Sequence, residues 1–368
     1  MKVLNILTSG EAGGIESLCR DIGLTAGYEN GFCFLFKGGA LCNQMKELGL
    51  EVHELYKVGK KLSFRKLGAL KKIAREYDIL VVHNRHALTE VYHYLAVKQL
   101  HKRSIVEVHS CFEKETFAKN ALRRHIDSYI FQQEINQANK IIFVSNAGKV
   151  SFQKTFQIDD NKSEIIYNGI GRDKLDAGKS APMNQGKPYN LLYVGRLIKE
   201  KGVELLLYAA DKLRIDYPVT VSIVGDGPDR QRLQAIVDEK NLNNEVTFFG
   251  RQVDVIPYYE KASVFVYPSI WQEVFGISIV EGMAFGKPCI VNRVGGIPEI
   301  VQDGINGYIS HAPTADGIYE ATVRAIKDIE SGKLDQISQS AKKRAEYFSI
   351  ENTVSKMSKL FDDLLHQV

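Results

Sequence analysis

Apolar runs of strand length alternate with longer amphipathic stretches from one end of the chain to the other. Runs at 3–7, 31–36, 79–83, 104–109 and 140–144 have the length and β-branched content of buried strands. Between them, stretches near 15–28, 41–49, 63–76, 88–101 and 119–138 place apolar residues at helical spacing. Segment 177–188 is rich in Gly, Pro, Ser and Lys and lacks apolar periodicity, so it reads as a linker. The pattern then restarts, with strands expected at 190–194, 220–224, 246–249, 264–267 and 289–292. Helices are expected near 201–216, 228–241, 254–261 and 277–286, followed by a helical tail at 315–331, 335–347 and 350–366.

Such alternation predicts an α/β protein with parallel sheets built from βαβ units. At 368 residues the chain suits two domains of roughly 100–200 residues each. The expected domains are 1–180 and 181–349, with the helix at about 350–368 packing back on the first. Two doubly wound halves make a cleft between them the natural place for a ligand.

Composition is that of an ordinary globular protein, 44% hydrophobic and 25% charged. The apolar start gives way at once to Thr8-Ser9-Gly10-Glu11, which reads as a first strand rather than a leader or membrane span. Five cysteines without a CxxC pair fit reduced thiols in a cytoplasmic protein better than a disulfide framework or zinc site. The net charge of +4 is unevenly shared: residues 1–180 hold 27 Lys and Arg against 20 Asp and Glu. Segment 57–75 alone holds eight Lys or Arg and no acid. Leu67, Leu70 and Ala74 have helical spacing there, with Lys71, Lys72 and Arg75 on the adjoining arc. A solvated face explains this; so does peripheral contact with an anionic membrane surface, at about 1 kcal/mol per basic residue. No nucleic-acid motif accompanies the charge.

Candidate chemistry concentrates between Tyr267 and Glu299. A buried strand ends at Pro268-Ser269, and Glu273 and Glu281 follow eight residues apart, the first in a loop and the second in the next helix. Gly276 opens that helix, whose unpaired N–H groups suit phosphate or sugar oxygens. Carboxylates suit sugar and ribose hydroxyls because they accept hydrogen bonds bidentately. Farther upstream, Tyr193-Val194-Gly195-Arg196-Leu197 runs to Lys201-Gly202, placing two cations after a strand. Val224-Gly225-Asp226-Gly227-Pro228 is another strand ending in a tight turn. In the first half, Gly10-Glu11-Ala12-Gly13-Gly14 links a strand to a helix, and His109 stands at the carboxyl end of a strand, where open α/β sheets place ligands. The glycine loop is not a G-x-G-x-x-G, which argues against a dinucleotide cofactor.

Together these segments resemble the retaining GT-B glycosyltransferases of family 4 (glycosyl transferases group 1). The segment from Glu273 through Phe275-Gly276 to Glu281-Gly282-Met283-Ala284 and Gly286-Lys287-Pro288 follows that family's E-x7-E signature. Gly295-Gly296-Ile297-Pro298-Glu299 and Asp303-Gly304-Ile305-Asn306-Gly307 continue it. The resemblance implies a GT-B fold of two facing Rossmann-like domains and a metal-independent hexosyltransferase needing no cofactor. It implies a nucleotide-sugar donor, UDP-linked by preference, and a carbohydrate or lipid-linked acceptor. A setting in bacterial surface-polysaccharide assembly, on the inner face of the cell membrane, fits the same resemblance. As implied roles, Glu273 with Phe275, Gly276 and Ile277 holds the donor sugar and Glu281 the ribose. Arg196 and Lys201 meet the diphosphate, Gly225, Gly227 and Arg251 lie by the nucleotide, Gly13 and Gly14 close over the donor, and His109 reaches the sugar. Three positions depart from the family text: Ser110 stands where Asp usually follows the histidine, Gly171 replaces an Asp, and Arg293 replaces a small residue. Loops around His83-Asn84-Arg85-His86 and Cys111-Phe112-Glu113 are expected to shape the acceptor side. Alternatives are a non-catalytic GT-B partner subunit and, less favoured by the E-x7-E spacing, a sugar-nucleotide epimerase.

Overall fold

The computed structural model describes residues 1–11, 13–59, 61–84, 87–112, 121–181, 184 and 186–366. Expectations that fall on Ala12, Lys60, Arg85, His86 and Glu113, and on part of the 177–188 linker, lie outside the described residues. The chain divides into two compact units, Met1–Gly169 with Ile350–Val368, and Ile170–Ser349.

The first unit is built on seven parallel strands: β1 (Lys2–Ser9), β2 (Glu29–Lys37), β3 (Glu51–Glu54), β4 (Ile79–Asn84), β5 (Arg103–Val108), β6 (Lys140–Phe143) and β7 (Ser163–Ile165). Their order is β3-β2-β1-β4-β5-β6-β7, so the winding reverses between β1 and β4. One face packs under helix Gly14–Thr25 and the tail helix Ile350–His366, through Val3, Val81, Ile105, Leu18, Ile22, Met357 and Phe361. The opposite face takes helices Phe64–Ala74 and Ala87–Leu100 through Leu4, Ile6, Leu80, Leu67, Leu70 and Ala96. Period-2 alternation along the strands thus feeds two apolar layers.

The second unit repeats the plan with β8 (Tyr189–Val194), β9 (Val219–Val224), β10 (Val246–Gly250), β11 (Val264–Tyr267), β12 (Cys289–Asn292) and β13 (Gly307–Ser310). The order β10-β9-β8-β11-β12-β13 reverses between β8 and β11. In such sheets, ligands bind beyond the carboxyl ends of the strands at this reversal. Helix Arg172–Ser180 belongs to this unit, moving the boundary from the expected 180/181 to 169/170. The reason is packing: a Cβ on Gly178 would stand 2.2 Å from Ala284 O, so the helix lies directly on the segment after Glu281.

Candidate functional site

The second unit gathers its chemistry on the loops after β8 and β11. After β8, Leu197 is fully buried and anchors the turn: its N–H donates to Asp226 O at 3.0 Å and its carbonyl accepts from Asp229 N at 3.0 Å. Gly225 and Gly227 permit this, because a Cβ on either would stand 1.8 Å from Gly195 O or 2.2 Å from Leu197 O. Their local role is therefore to seat the Arg196 turn. Arg196 itself is exposed, and so is Arg251 just beyond β10.

Lys201 does not point into solvent. Its Nζ donates to Glu273 Oε1 at 2.5 Å and to Tyr267 Oη at 2.6 Å, with only 15% of the lysine and 11% of the glutamate side chain exposed. Ser269 Oγ lies 2.7 Å from the same carboxylate oxygen. The Pro268-Ser269 turn is held from below by buried Asn292, whose Nδ2 donates to both carbonyls at 2.8 and 3.1 Å. From the other side, Gly296 N donates to Glu273 O at 2.6 Å. Gly295 has φ +52°, and a Cβ there would stand 2.0 Å from Glu273 O, so the loop depends on glycine at this point. Arg293 is exposed at the start of the same loop.

Glu281 has a parallel arrangement on helix Ile277–Ala284. Its side chain is 8% exposed, pairs with Lys174 Nζ through Oε1, and accepts from Tyr259 Oη at 2.9 Å through Oε2. Each signature carboxylate thus has one lysine and one tyrosine. Burial first, then the neighbouring carboxylate, pushes both Tyr259 and Tyr267 phenols well above their usual range. Phe275 is buried, its ring edge-on against Phe348 at 5.3 Å, so the role the resemblance implies for it is one for its backbone. Gly276 (φ +120°) caps the helix and Ile277 is its first residue. Lys174, Tyr259, Tyr267 and Ser269 were not singled out in the sequence. Tyr267 and Ser269 carried a signal, since both end the strand that feeds the signature.

The first unit carries a different cluster at its own reversal. Val3 and Asn5 on β1, Ile79, Val81 and His83 on β4, and Ile105 and Glu107 on β5 share one face, with His109 just past the end of β5. That face is apolar at the start of each strand and turns polar toward the carboxyl end. His83 pairs in register with Glu107. His83 Nδ1 lies 3.0 Å from His109 Nε2, and the two rings stack with centroids 5.2 Å apart. Glu107 sits 3.5 Å from each ring nitrogen of that pair. Burial pushes Glu107 up to about 8 and His83 down to about 3, so both stay uncharged near neutral pH. Burial, reinforced by Glu107, also pushes the neighbouring Cys19 thiol well up. His83, Glu107 and His109 are also the described residues that could hold a metal ion, with one ligating atom each within 4.8 Å. The direct ring-to-ring hydrogen bond gives those nitrogens a partner without one.

Gly13 is the N-cap and Gly14 the first residue of helix Gly14–Thr25, at the end of β1. Along 57–75, Lys66 departs from the expected basic face: it is 1% exposed and donates to Leu35 O at 2.9 Å. Leu62 and Phe64 are instead exposed beside Lys61 and Arg65.

Comparison with known proteins agrees with this fold. Residues 179–344 match the family described as Glycosyl transferases group 1, and residues 32–174 match Glycosyltransferase Family 4. An uncharacterized glycosyltransferase of Methanocaldococcus jannaschii is 30% identical over 239 residues, covering 64% of this chain and 63% of that protein. The N-acetyl-alpha-D-glucosaminyl L-malate synthase of Bacillus anthracis is 29% identical over 209 residues, covering 55% and 54%. The matched stretches thus span little more than half to three fifths of those relatives' own lengths. The fold is similar to that of Anabaena HepE, solved in complex with UDP and glucose, with a TM-score of 0.82, 20% identity and coverage of 98% and 99%. Matched through both of its parallel-sheet units, the chain belongs to the GT-B glycosyltransferases of family 4.

Proposed function

We propose that the protein is a retaining hexosyltransferase that uses a UDP-sugar and transfers its sugar to a carbohydrate or lipid-linked glycan. The observation that carries this reading is the pair of lysine- and tyrosine-held carboxylates, Glu273 and Glu281, beyond the sheet reversal of the second unit. Glu281 accepts from the ribose hydroxyls and Glu273 from those of the sugar. Arg196, Lys201 and the amides at the start of helix Ile277–Ala284 offset charge on the departing diphosphate. The acceptor hydroxyl attacks the anomeric carbon from the face the diphosphate leaves. UDP departs with the bonding electron pair, and its phosphate oxygen takes the acceptor proton. His109 of the first unit orients the sugar. No metal ion is needed in this scheme, because orientation and fixed charge supply the catalysis. UDP is favoured over GDP by the UDP complex of the similar Anabaena fold.

Exposed Leu62 and Phe64 beside Lys61 and Arg65 support peripheral contact with anionic membrane on the cytoplasmic face. No described helix is long and apolar enough to cross a membrane.

The test is product analysis with UDP-hexoses and an acceptor panel. An acceptor-dependent product that keeps the α configuration, lost in Glu273→Ala, is expected. A β-linked product would overturn retention, and epimerised free UDP-sugar without acceptor would overturn transfer.

A further inference from the structure

Which nitrogen of His109 carries its proton follows from a chain of hydrogen bonds that begins at backbone carbonyls on the far side of β1. Tyr28 O can only accept, and Asn30 Nδ2 donates to it at 3.2 Å, so Asn30 Oδ1 is the atom turned to Asn5. Asn5 Nδ2 donates to that oxygen at 3.1 Å and to Gly31 O at 3.4 Å. Asn5 Oδ1 is then the atom 3.1 Å from His83 Nε2, which must donate to it. A neutral His83 protonated on Nε2 has its lone pair on Nδ1. The 3.0 Å contact to His109 Nε2 therefore needs the proton on His109. Asn5 and His83 are both 1% exposed, so water does not compete for these groups. Cys19 Sγ, 3.5 Å from His83 Nε2, is a weak partner and does not reverse the order.

We propose that Asn5 and His83 are positioning residues that hold the His109 proton on Nε2, so that Nδ1 of the neutral ring is the hydrogen-bond acceptor for a sugar hydroxyl. In this chain they take over the orienting job that an acid after the histidine would do, since Ser110 stands there. Burial keeps Glu107 and His83 uncharged beside His109. This role rests on the transferase reading only for the sugar; the tautomer stands without it.

The test uses the intact protein labelled with [15N]histidine, where two-bond proton–nitrogen spectra identify the tautomer of each ring. Both His83 and His109 are expected as Nε2–H forms. Asn5→Leu removes the anchor without touching His109 and is expected to give His109 a mixed or Nδ1–H tautomer. His83→Asn, whose Oδ1 replaces Nδ1 as acceptor, is expected to keep the Nε2–H form, so a poorly folding Asn5 variant does not end the test. With UDP-glucose as probe, Asn5→Leu should lower kcat about tenfold or more with little change in KM, and His83→Asn should retain most turnover. Three results would overturn the proposal: His109 as Nδ1–H in the native protein, an unchanged tautomer in Asn5→Leu, or a stoichiometric metal ion bound to His83, Glu107 and His109. A locked tautomer in a protein that never turns over any nucleotide sugar would instead sink the transferase reading alone.

Discussion

The two units wind their sheets alike, yet the ends of their central strands carry opposite electrostatics. Beyond β8 and β11 the second unit sets charged carboxylates against lysines, each pair braced by a tyrosine. Within β1, β4 and β5 the first unit keeps Asn5, His83 and Glu107 buried and uncharged, tied by directional hydrogen bonds. One arrangement suits a ligand that brings charge, such as a diphosphate. The other suits a ligand read through hydroxyl direction. Fold alone therefore assigns neither job; the polar residues planted at the reversal do.

The largest effects should come from the charged end. Lys201→Ala is expected to lower turnover by about 10²–10³, as for loss of one group that stabilises a leaving oxyanion. It should also lower Tm, because Glu273 is left nearly buried without its cation. A double variant, Lys201→Met with Glu273→Gln, should recover much of the stability and none of the turnover; recovery of both would break the assignment. Next comes Gly295→Ala, whose Cβ collides with Glu273 O. It should cost about 1–3 kcal/mol in denaturant unfolding and reduce turnover, since the Glu273 loop must shift.

A pH dependence separates the neutral end from the charged one. The folded Glu107 titrates at about 8 instead of its ordinary 4.5, so between those values the folded state holds a proton that the unfolded state has released. Its stabilising contribution is full below 4.5 and is lost as pH rises to about 8, with a slope approaching ~1.4 kcal/mol per pH unit. Glu134, also raised to about 8 by burial, acts in the same direction. Glu107→Gln should therefore flatten, without abolishing, the fall of Tm between pH 5 and 8. An unchanged slope would show that Glu107 is ionised and the first cluster is not neutral.

Much of this was legible in the sequence, and the rest was hidden for physical reasons. The strands 264–267 and 289–292 lie where the apolar runs put them, because both are central and wholly buried. The strands that escaped notice, β3, β7 and β13, are short members at sheet edges, and β3 has a glutamate at each end and a single apolar residue. Glu273, Glu281, Lys201 and His109 were picked out through the family resemblance of the segments that carry them. Lys174, on an unanticipated helix, was not, since nothing local links it to a carboxylate 107 residues away. Asn5 and His83 did carry a signal, a polar residue inside an apolar buried run, but only the parallel register shows that they share a face with Glu107.

The most direct test is calorimetric titration of UDP-glucose into the native protein and into Glu281→Gln, which keeps a partner for Tyr259. Saturable one-to-one binding, weakened about tenfold or more in the folded variant, is the predicted result. Equal binding by both proteins, or none by the folded native chain, would contradict the assignment of the paired carboxylates to a nucleotide-sugar.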